Sequence, residues 1–224
     1  MYDAAYFLQF ATGGAKRLSY AASFGKTNFD AATTRVYQQM LASYDKITVR
    51  EDSAVQMLES WGAKNCYGQV LDPTLLLSAD EWIDLLVYEE MQIKYASQKY
   101  ILVYQIHNDR QLSSYALRLA AHTGLKLLRV NPFMHQVHRG GKFVLCPDVT
   151  EFLSLIKNAT YIVTDSFHGT CFSLTFEKQF IEVLPNNTTG TRNQSILALT
   201  GLSNRIVYDF DDFSIINRMI NYQP

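Results

Sequence analysis

The chain has 224 residues, of which 48% are apolar and 18% are charged, and its formal net charge is −1. This composition is typical of a globular protein of one large or two modest domains, and it offers no polyelectrolyte attraction to nucleic acid or anionic lipid. Three cysteines without a CxxC pair argue against a disulfide framework, and no apolar run reaches the length of a membrane span. We therefore expect a cytoplasmic protein with no nucleic acid partner and no membrane span.

The first part of the chain alternates between predicted strands and helices. Residues 17–22 and 47–50 are predicted strands, and residues 33–44 repeat apolar side chains with the 3.6-residue period of an amphipathic helix. Asp52 is the predicted N-cap of a second helix, which Gly62 ends in a left-handed turn. This alternation is typical of an α/β fold.

A polar stretch from residue 78 to about residue 99 separates two predicted domains, residues 1–78 and 79–224. The leucines at 75–77 precede it and are expected to be buried. Residues 100–106 then form an apolar strand of the kind that is buried on both faces of a parallel sheet.

The second part continues the alternation. Gly124 ends a predicted helix, Asp148 caps another, and the long basic loop at 131–147 is expected to be a mobile flap. Further strands and helices are predicted at 127–130, 161–164, 180–184, 196–200, 206–208 and 213–220. The sequence therefore predicts a doubly wound parallel-sheet architecture.

The turn after the strand at 161–164 is the first candidate for a functional site. It carries His168 between a β-branched run and a helix start, where backbone N–H groups favour an anion. A structural histidine that binds a backbone carbonyl is the alternative. His107 ends a central strand and is the second candidate. His135, His138 and Cys146 lack a second paired ligand motif, so no metal site is predicted.

Four stretches resemble, in order, motifs of the polysaccharide pyruvyl transferases. They are YAASFG at 20–25, TVRE at 48–51, DPT at 72–74 and DSFHGT at 165–170. The resemblance covers nearly the whole chain. It implies two Rossmann-like domains in an arrangement similar to glycosyltransferase B, with donor and acceptor meeting in the cleft between them.

The resemblance also implies that the first domain is incomplete here. Family members usually carry a first strand-helix portion before a stretch similar to residues 6–10, so residues 1–78 resemble the C-terminal part of an N-terminal domain, and residues 79–224 a whole C-terminal one. Sheet edges left open would favour a homo-oligomer. The alternatives for such a chain are an inactive binding fragment or an active enzyme.

The implied activity is transfer of the enolpyruvyl group of phosphoenolpyruvate onto a sugar hydroxyl pair, which gives a pyruvate ketal and phosphate. The acceptor would be a cell-surface polysaccharide or a lipid-linked precursor, handled by a cytoplasmic enzyme or by one peripheral to the inner face of the membrane. Phosphoenolpyruvate would be a substrate, and no cofactor is implied. A nucleotide-sugar glycosyltransferase of similar fold is the alternative, with Glu177 as its candidate ribose ligand.

His168 matches the histidine of the family motif, which is expected to contact the donor phosphate or to act as the acid. Arg50 would grip a carboxylate or phosphate from across the cleft, or form a salt bridge to Asp52 or another acid. Some relatives have Arg-Leu-His where this chain has Ser166, Phe167 and His168, so that arginine has no counterpart here.

The remaining expected site residues lie in loops. Asp165 would orient His168 or cap the next helix. Backbone or hydroxyl groups for an anion are expected from Ser166, Gly169 and Thr170. The corresponding rim of the first domain is expected to contain Ser23, Gly25 and Lys26. Arg192 and Asn193 open the predicted helix that follows the last loop, and they would face the cleft or the solvent.

Overall fold

The computed structural model describes residues 3–85, 95–185 and 190–222. The chain forms two compact units, one of Met1–Pro73 with Asn187–Ile196, and one of Thr74–Asn186 with Leu197–Pro224. The predicted boundary after residue 78 lies a few residues beyond the observed one. The sequence does not anticipate that a late segment joins the first unit.

The first unit contains a three-stranded parallel sheet in the order β1 (Leu18–Ala22), β2 (Lys46–Val49) and β3 (Cys66–Gln69). Helices α1 (Ala31–Leu41) and α2 (Asp52–Ser60) connect these strands in turn. The parallel register requires each helix to carry the chain back to the same edge of the sheet. All three strands therefore end at one edge.

One face of this sheet is packed and the other is exposed. Ile47 and Val49 of β2 are buried in a core with apolar residues of both helices. On the opposite face Leu18, Tyr20 and Tyr67 are between 51% and 61% exposed. The first unit is therefore stabilised from one side within the part of the chain that the structure describes.

The second unit contains a five-stranded parallel sheet in the order β6-β5-β4-β7-β8. The strands are β4 (Tyr100–Tyr104), β5 (Lys126–Asn131), β6 (Lys142–Leu145), β7 (Tyr161–Thr164) and β8 (Phe180–Glu182). Central strand β4 is almost wholly buried, as its uniformly apolar sequence predicts. The predicted α/β class with parallel sheets is confirmed.

Within residues 74–85, 95–185 and 190–222, five further α-helices follow. They are α3 (Ala79–Leu85), α4 (Arg110–Thr123), α5 (Val149–Asn158), α6 (Phe167–Thr175) and α7 (Thr191–Leu199). Side chains at their ends determine where several of them begin and stop. The Asp109 and Asp148 carboxylates accept N–H bonds at the starts of α4 and α5, and Gly124 ends α4 with a φ of 70°.

Two strands escape prediction because their local signals are weak. β3 contains Gly68 and polar residues, and β6 follows a pair of glycines inside the loop expected to be a flap. Both are four-residue strands at the edge of a sheet, so pairing with the adjacent strand, rather than β-propensity, determines whether they form. The predicted flap is wrong to the extent that it contains β6.

Other sequence expectations are also corrected. Leu76 is 58% exposed, so the leucines at 75–77 are not a buried triplet. Asp52 is the first residue of α2, and Glu51 occupies the cap position. Near the C-terminus, the predicted strand is a single bridge at Ile206, and the closing helix is a short 3-10 turn, Ser214–Asn217.

Candidate functional site

The strand order of the second unit places a topological switch point between β4 and β7. From β4 the chain crosses to β5 on one side, and from β7 it crosses to β8 on the other. In open α/β sheets the helices diverge at such a point, and ligands bind outside the carboxyl ends of the strands there. The residues at this point are Tyr104, His107, Asp165, Ser166 and His168, and we call them the β4/β7 site.

Asp165 joins the two strand ends. Its carboxylate is buried and accepts hydrogen bonds from the backbone N–H groups of Ile106, at 2.7 Å, and His107, at 3.0 Å. The same Oδ2 atom lies 3.2 Å from Nδ1 of the His107 ring. Asp165 therefore orients His107, whereas the sequence expectation named His168.

Burial raises the pKa of Asp165 above its ordinary value, and the hydrogen bonds from Ile106 and His107 oppose that rise. The carboxylate oxygens are thus held by donors from one neighbouring loop. Burial also raises the pKa of the nearby Tyr104 hydroxyl. A hydrogen bond with Ser166 opposes that rise.

Ser166, rather than Asp165, is the N-cap of α6. Its hydroxyl accepts a bond from the Gly169 N–H at 3.3 Å, and its own N–H donates to Thr164 Oγ1. This cap corrects the expectation that Asp165 caps the helix. His168 occupies the first turn of α6 and is exposed, in contrast to its buried neighbours.

Two other residues of this motif are committed to packing. The Thr170 hydroxyl donates to Glu182 Oε2 at 2.5 Å, and both residues are completely buried. A Cβ atom on Gly169 would lie 2.4 Å from Thr164 Oγ1. Gly169 and Thr170 therefore hold α6 against the sheet, and the anion-binding role expected for them remains an untested prediction.

The first unit has polar loops at the carboxyl ends of its strands as well. There Glu51 is completely buried, and its Oε1 atom accepts bonds from the Ser23 hydroxyl at 2.8 Å and from the N–H groups of Phe24 and Gly25. An internal carboxylate thus occupies the donors that the sequence assigned to a ligand. Glu51 is not among the site residues that the sequence predicts.

Arg50 pairs with Asp72 rather than with Asp52. The guanidinium lies 2.5 Å from the Asp72 carboxylate, whose side chain is 2% exposed, against 15% for Arg50. A second arginine, Arg192, interacts with this pair. Burial lowers the pKa of Arg192, the charge of Arg50 lowers it further, and Glu51 and Asp72 oppose the shift.

The first turn of α7 belongs to this first unit. Ser195 Oγ accepts bonds from Asp52 N at 3.2 Å and from Gln69 Nε2 at 2.9 Å, while Asn193 is buried. Both Arg192 and Asn193 therefore stand with Arg50, although the sequence places them in the second domain. A contact across more than one hundred residues leaves no local signal that could have predicted it.

Lys26 is exposed at the first-unit loop and lines a cavity of about 580 Å³. Six of its fourteen lining residues are aromatic: Tyr6, Phe7, Phe24, Phe29, Tyr37 and Tyr44. Among the described residues, no three His, Cys, Asp or Glu side chains are grouped so that they could hold a metal ion. None of the described helices is long and apolar enough to cross a bilayer.

Two parallel sheets, with polar residues at their strand ends, define an α/β protein with Rossmann-like units. The sequence profile described as polysaccharide pyruvyl transferase matches residues 2–188. The chain therefore belongs to the polysaccharide pyruvyl transferase family, as its motifs predict. No curated protein matches the chain.

Solved structures of similar fold include MnaA and two proteins named as UDP-N-acetylglucosamine 2-epimerases. MnaA of S. aureus, in a co-structure with UDP, has a TM-score of 0.53 at 14% identity, covering 84% of this chain and 62% of its own. The UDP-GlcNAc 2-epimerase of Neisseria meningitidis bound to UDP-GlcNAc has a TM-score of 0.53 at 10% identity, with 81% and 61% covered. A putative UDP-N-acetylglucosamine 2-epimerase of Listeria monocytogenes has 0.51 at 11%, with 90% and 61% covered.

These likenesses establish the fold alone, of the glycosyltransferase-B type. The chain spans about three fifths of the length of these matched structures.

Proposed function

We propose that this chain carries out the transfer of an enolpyruvyl group from phosphoenolpyruvate to two hydroxyls of a sugar in a cell-surface polysaccharide or its precursor. Family membership supports the transferase class. The observation that carries the assignment to a site is the exposed His168 in the first turn of α6, at the switch point of the second sheet.

The reaction requires proton transfer and charge stabilisation. The C3 atom of phosphoenolpyruvate gains a proton, sugar oxygens form two bonds to C2, and the bond from C2 to the phosphate oxygen breaks. One hydroxyl proton balances the proton gained at C3, and the other leaves with the phosphate, so no oxidant or reductant is needed. His168 as an imidazolium would supply the C3 proton, and the N-terminus of α6 favours an anion.

In the first unit, Arg192 and Arg50 are the candidates for an anion site. They stand together at the carboxyl ends of the strands, and each is partly accessible to solvent. The backbone donors of the Ser23 loop are less suited, because Glu51 already accepts from them. We therefore assign substrate carboxylate or phosphate in this unit to the arginines.

The test is phosphate release from phosphoenolpyruvate with a panel of sugar acceptors, together with calorimetric binding of phosphoenolpyruvate. We expect His168→Ala to lower phosphate release about 100-fold or more, which is the usual contribution of a general acid. His122→Ala is the matched control, because His122 lies near the far end of α4, where it stacks on Phe213. Unchanged turnover in His168→Ala would exclude this role.

A nucleotide-sugar glycosyltransferase is the second candidate, because the fold is similar to that of proteins solved with UDP or UDP-GlcNAc. The ribose ligand considered for it, Glu177, lies beyond the C-terminal end of α6, and the first turn of α6 has no acidic residue. Nine helical residues span about 13 Å, so Glu177 is far from the switch point. Binding of UDP without binding of phosphoenolpyruvate would favour this candidate.

A non-catalytic binding module is the third candidate, since the chain spans only part of the matched structures. Binding of phosphoenolpyruvate without phosphate release for any acceptor would favour it. We also propose a homo-oligomer, which light scattering of the purified protein tests. An acceptor carried on a lipid is a further proposal, which phosphate release with lipid-linked acceptors tests.

A further inference from the structure

The β4/β7 site contains a carboxylate and an imidazole in direct contact. The Asp165 side chain is 1% exposed, whereas that of His107 is 29% exposed. A buried carboxylate therefore holds one nitrogen of a ring that solvent or a ligand can reach. This arrangement matches the way in which a carboxylate orients a histidine for proton transfer.

The hydrogen bonds around Asp165 determine the tautomer of the His107 imidazole. Both carboxylate oxygens accept backbone N–H groups, one from Ile106 and one from His107, and these bonds favour the ionised carboxylate against the effect of burial. A carboxylate can only accept, and the Nδ1 atom of His107 must then be the donor in their contact at 3.2 Å. In the neutral ring the lone pair is consequently on Nε2.

Asp165 also binds the backbone of His107. Because Asp165 binds the N–H of His107 as well as its Nδ1 atom, one side chain fixes both the loop after β4 and the orientation of the imidazole. A link between the two strand ends would need only the backbone bonds. The additional ring contact is the feature that points to chemistry.

We propose that His107 is the base of this site, accepting at Nε2 the proton of the sugar hydroxyl that attacks C2, with Asp165 as its positioning residue. This inference rests on the proposed pyruvyl transfer and specifies its proton path. His107 lies in the loop after β4, while His168 lies in the first turn of α6, which follows the adjacent strand β7. The site would thus have two histidines with opposite tasks.

The steps balance. In the addition, the first sugar oxygen bonds to C2, the electrons of the C2–C3 double bond take a proton from His168, and the hydroxyl proton passes to His107. In the second step, the C2–O bond to phosphate breaks and the second sugar oxygen bonds to C2. Its proton returns to His168, and His107 gives its proton to the departing phosphate.

The activity test uses His107→Gln, which keeps a polar side chain of similar length but cannot serve as a base. We expect phosphate release to fall about 100-fold or more while binding of phosphoenolpyruvate changes little. His122→Gln is the matched control and should retain the wild-type rate. Turnover close to wild type in His107→Gln would overturn the inference while the proposed function stands.

The positioning role has a readout that does not depend on turnover. In ¹⁵N-detected NMR of the imidazole, we expect wild-type His107 to carry its proton on Nδ1, and Asp165→Asn to lose that preference. Protonation on Nε2 in the neutral wild-type ring would overturn the role of Asp165. A wild-type chain that neither binds phosphoenolpyruvate nor releases phosphate would overturn the proposed function itself, and the task of His107 with it.

Discussion

Gly169 lies where helix α6 approaches the sheet most closely. A Cβ atom there would be 2.4 Å from Thr164 Oγ1 and 3.0 Å from Tyr104 Cδ1, so something must move to admit even a methyl group. Because α6 carries His168 and the Ser166 cap, its distance from β7 affects the site directly. Packing alone is therefore sufficient to account for the glycine of the motif.

We expect Gly169→Ala to destabilise the second unit by about 1 to 3 kcal/mol, as overpacking of a buried site usually does. Trp82 reports on this region, since its ring lies 5.4 Å from that of Phe172 on α6. Urea unfolding can be followed by its fluorescence in a Trp61→Phe background.

The control for this prediction is the pair of changes Gly169→Ala and Thr164→Ala, which removes the hydroxyl that the new methyl would meet. If the steric account holds, the double variant loses less stability than the two single changes added together. Strict additivity would contradict it.

Arg50 and Asp72 form the corresponding residue-scale feature of the first unit. Their pairing means that the arginine of the TVRE motif is already neutralised by the aspartate of the DPT motif. Two motifs that are separate in sequence therefore describe one interaction. Under the proposed function, a substrate anion near Arg50 would share the guanidinium with Asp72, and Arg192 would supply the additional positive charge.

We expect Asp72→Asn to destabilise the first unit by about 3 kcal/mol, because a largely buried guanidinium would lose its anionic partner. Trp61 fluorescence in a Trp82→Phe background reports on this unit, since Trp61 packs against Phe24. Asp52→Asn is the matched control on an exposed neighbour of Arg50. An equal loss of stability in both variants would contradict the assignment of Asp72 as the partner.

At the scale of elements, helix α5 is defined by its start. Its N-cap Asp148 accepts the N–H of Glu151 at 2.7 Å, and the following turns bury Leu153, Leu155 and Ile156. Local capping and an apolar stripe thus agree, and the sequence predicts this helix for that reason.

We expect Asp148→Ala to cost about 1 kcal/mol of stability, the usual value for a lost N-cap, and Asp148→Ser to restore most of it. Urea unfolding read at Trp82 is suitable, because Phe152 of α5 packs on Phe172, which in turn contacts Trp82. An alanine variant as stable as the serine variant would show that the cap contributes little.

Elements with weak local signals are the ones that the sequence misses. Edge strands β3 and β6 form because a neighbouring strand offers its backbone groups, as in the pairing of Ile47 with Cys66 and of Leu128 with Lys142. Conversely, the apolar spacing near the C-terminus predicts a helix where the structure has a 3-10 turn. Propensity decides long periodic segments and leaves short ones to their surroundings.

At the scale of the whole molecule, the sequence predicts the α/β class, the family and the edge of each sheet where polar residues gather. It does not predict which polar groups the protein uses for itself. Glu51 accepts hydrogen bonds from a loop 28 residues before it, and Asp165 contacts the ring of His107 instead of that of His168. Such pairings depend on strand order, which residue spacing alone does not specify.

The contact between Asp165 and His107 has a consequence for folding. The two residues are 58 positions apart and meet only when β7 pairs with β4, so the contact contributes to the high contact order of a parallel sheet. A peptide covering residues 161–175 would contain the strand, the turn and the helix but not the oriented imidazole. The tautomer of His107 should therefore appear late in refolding, together with the central strand pairing, and serve as a spectroscopic marker of native topology.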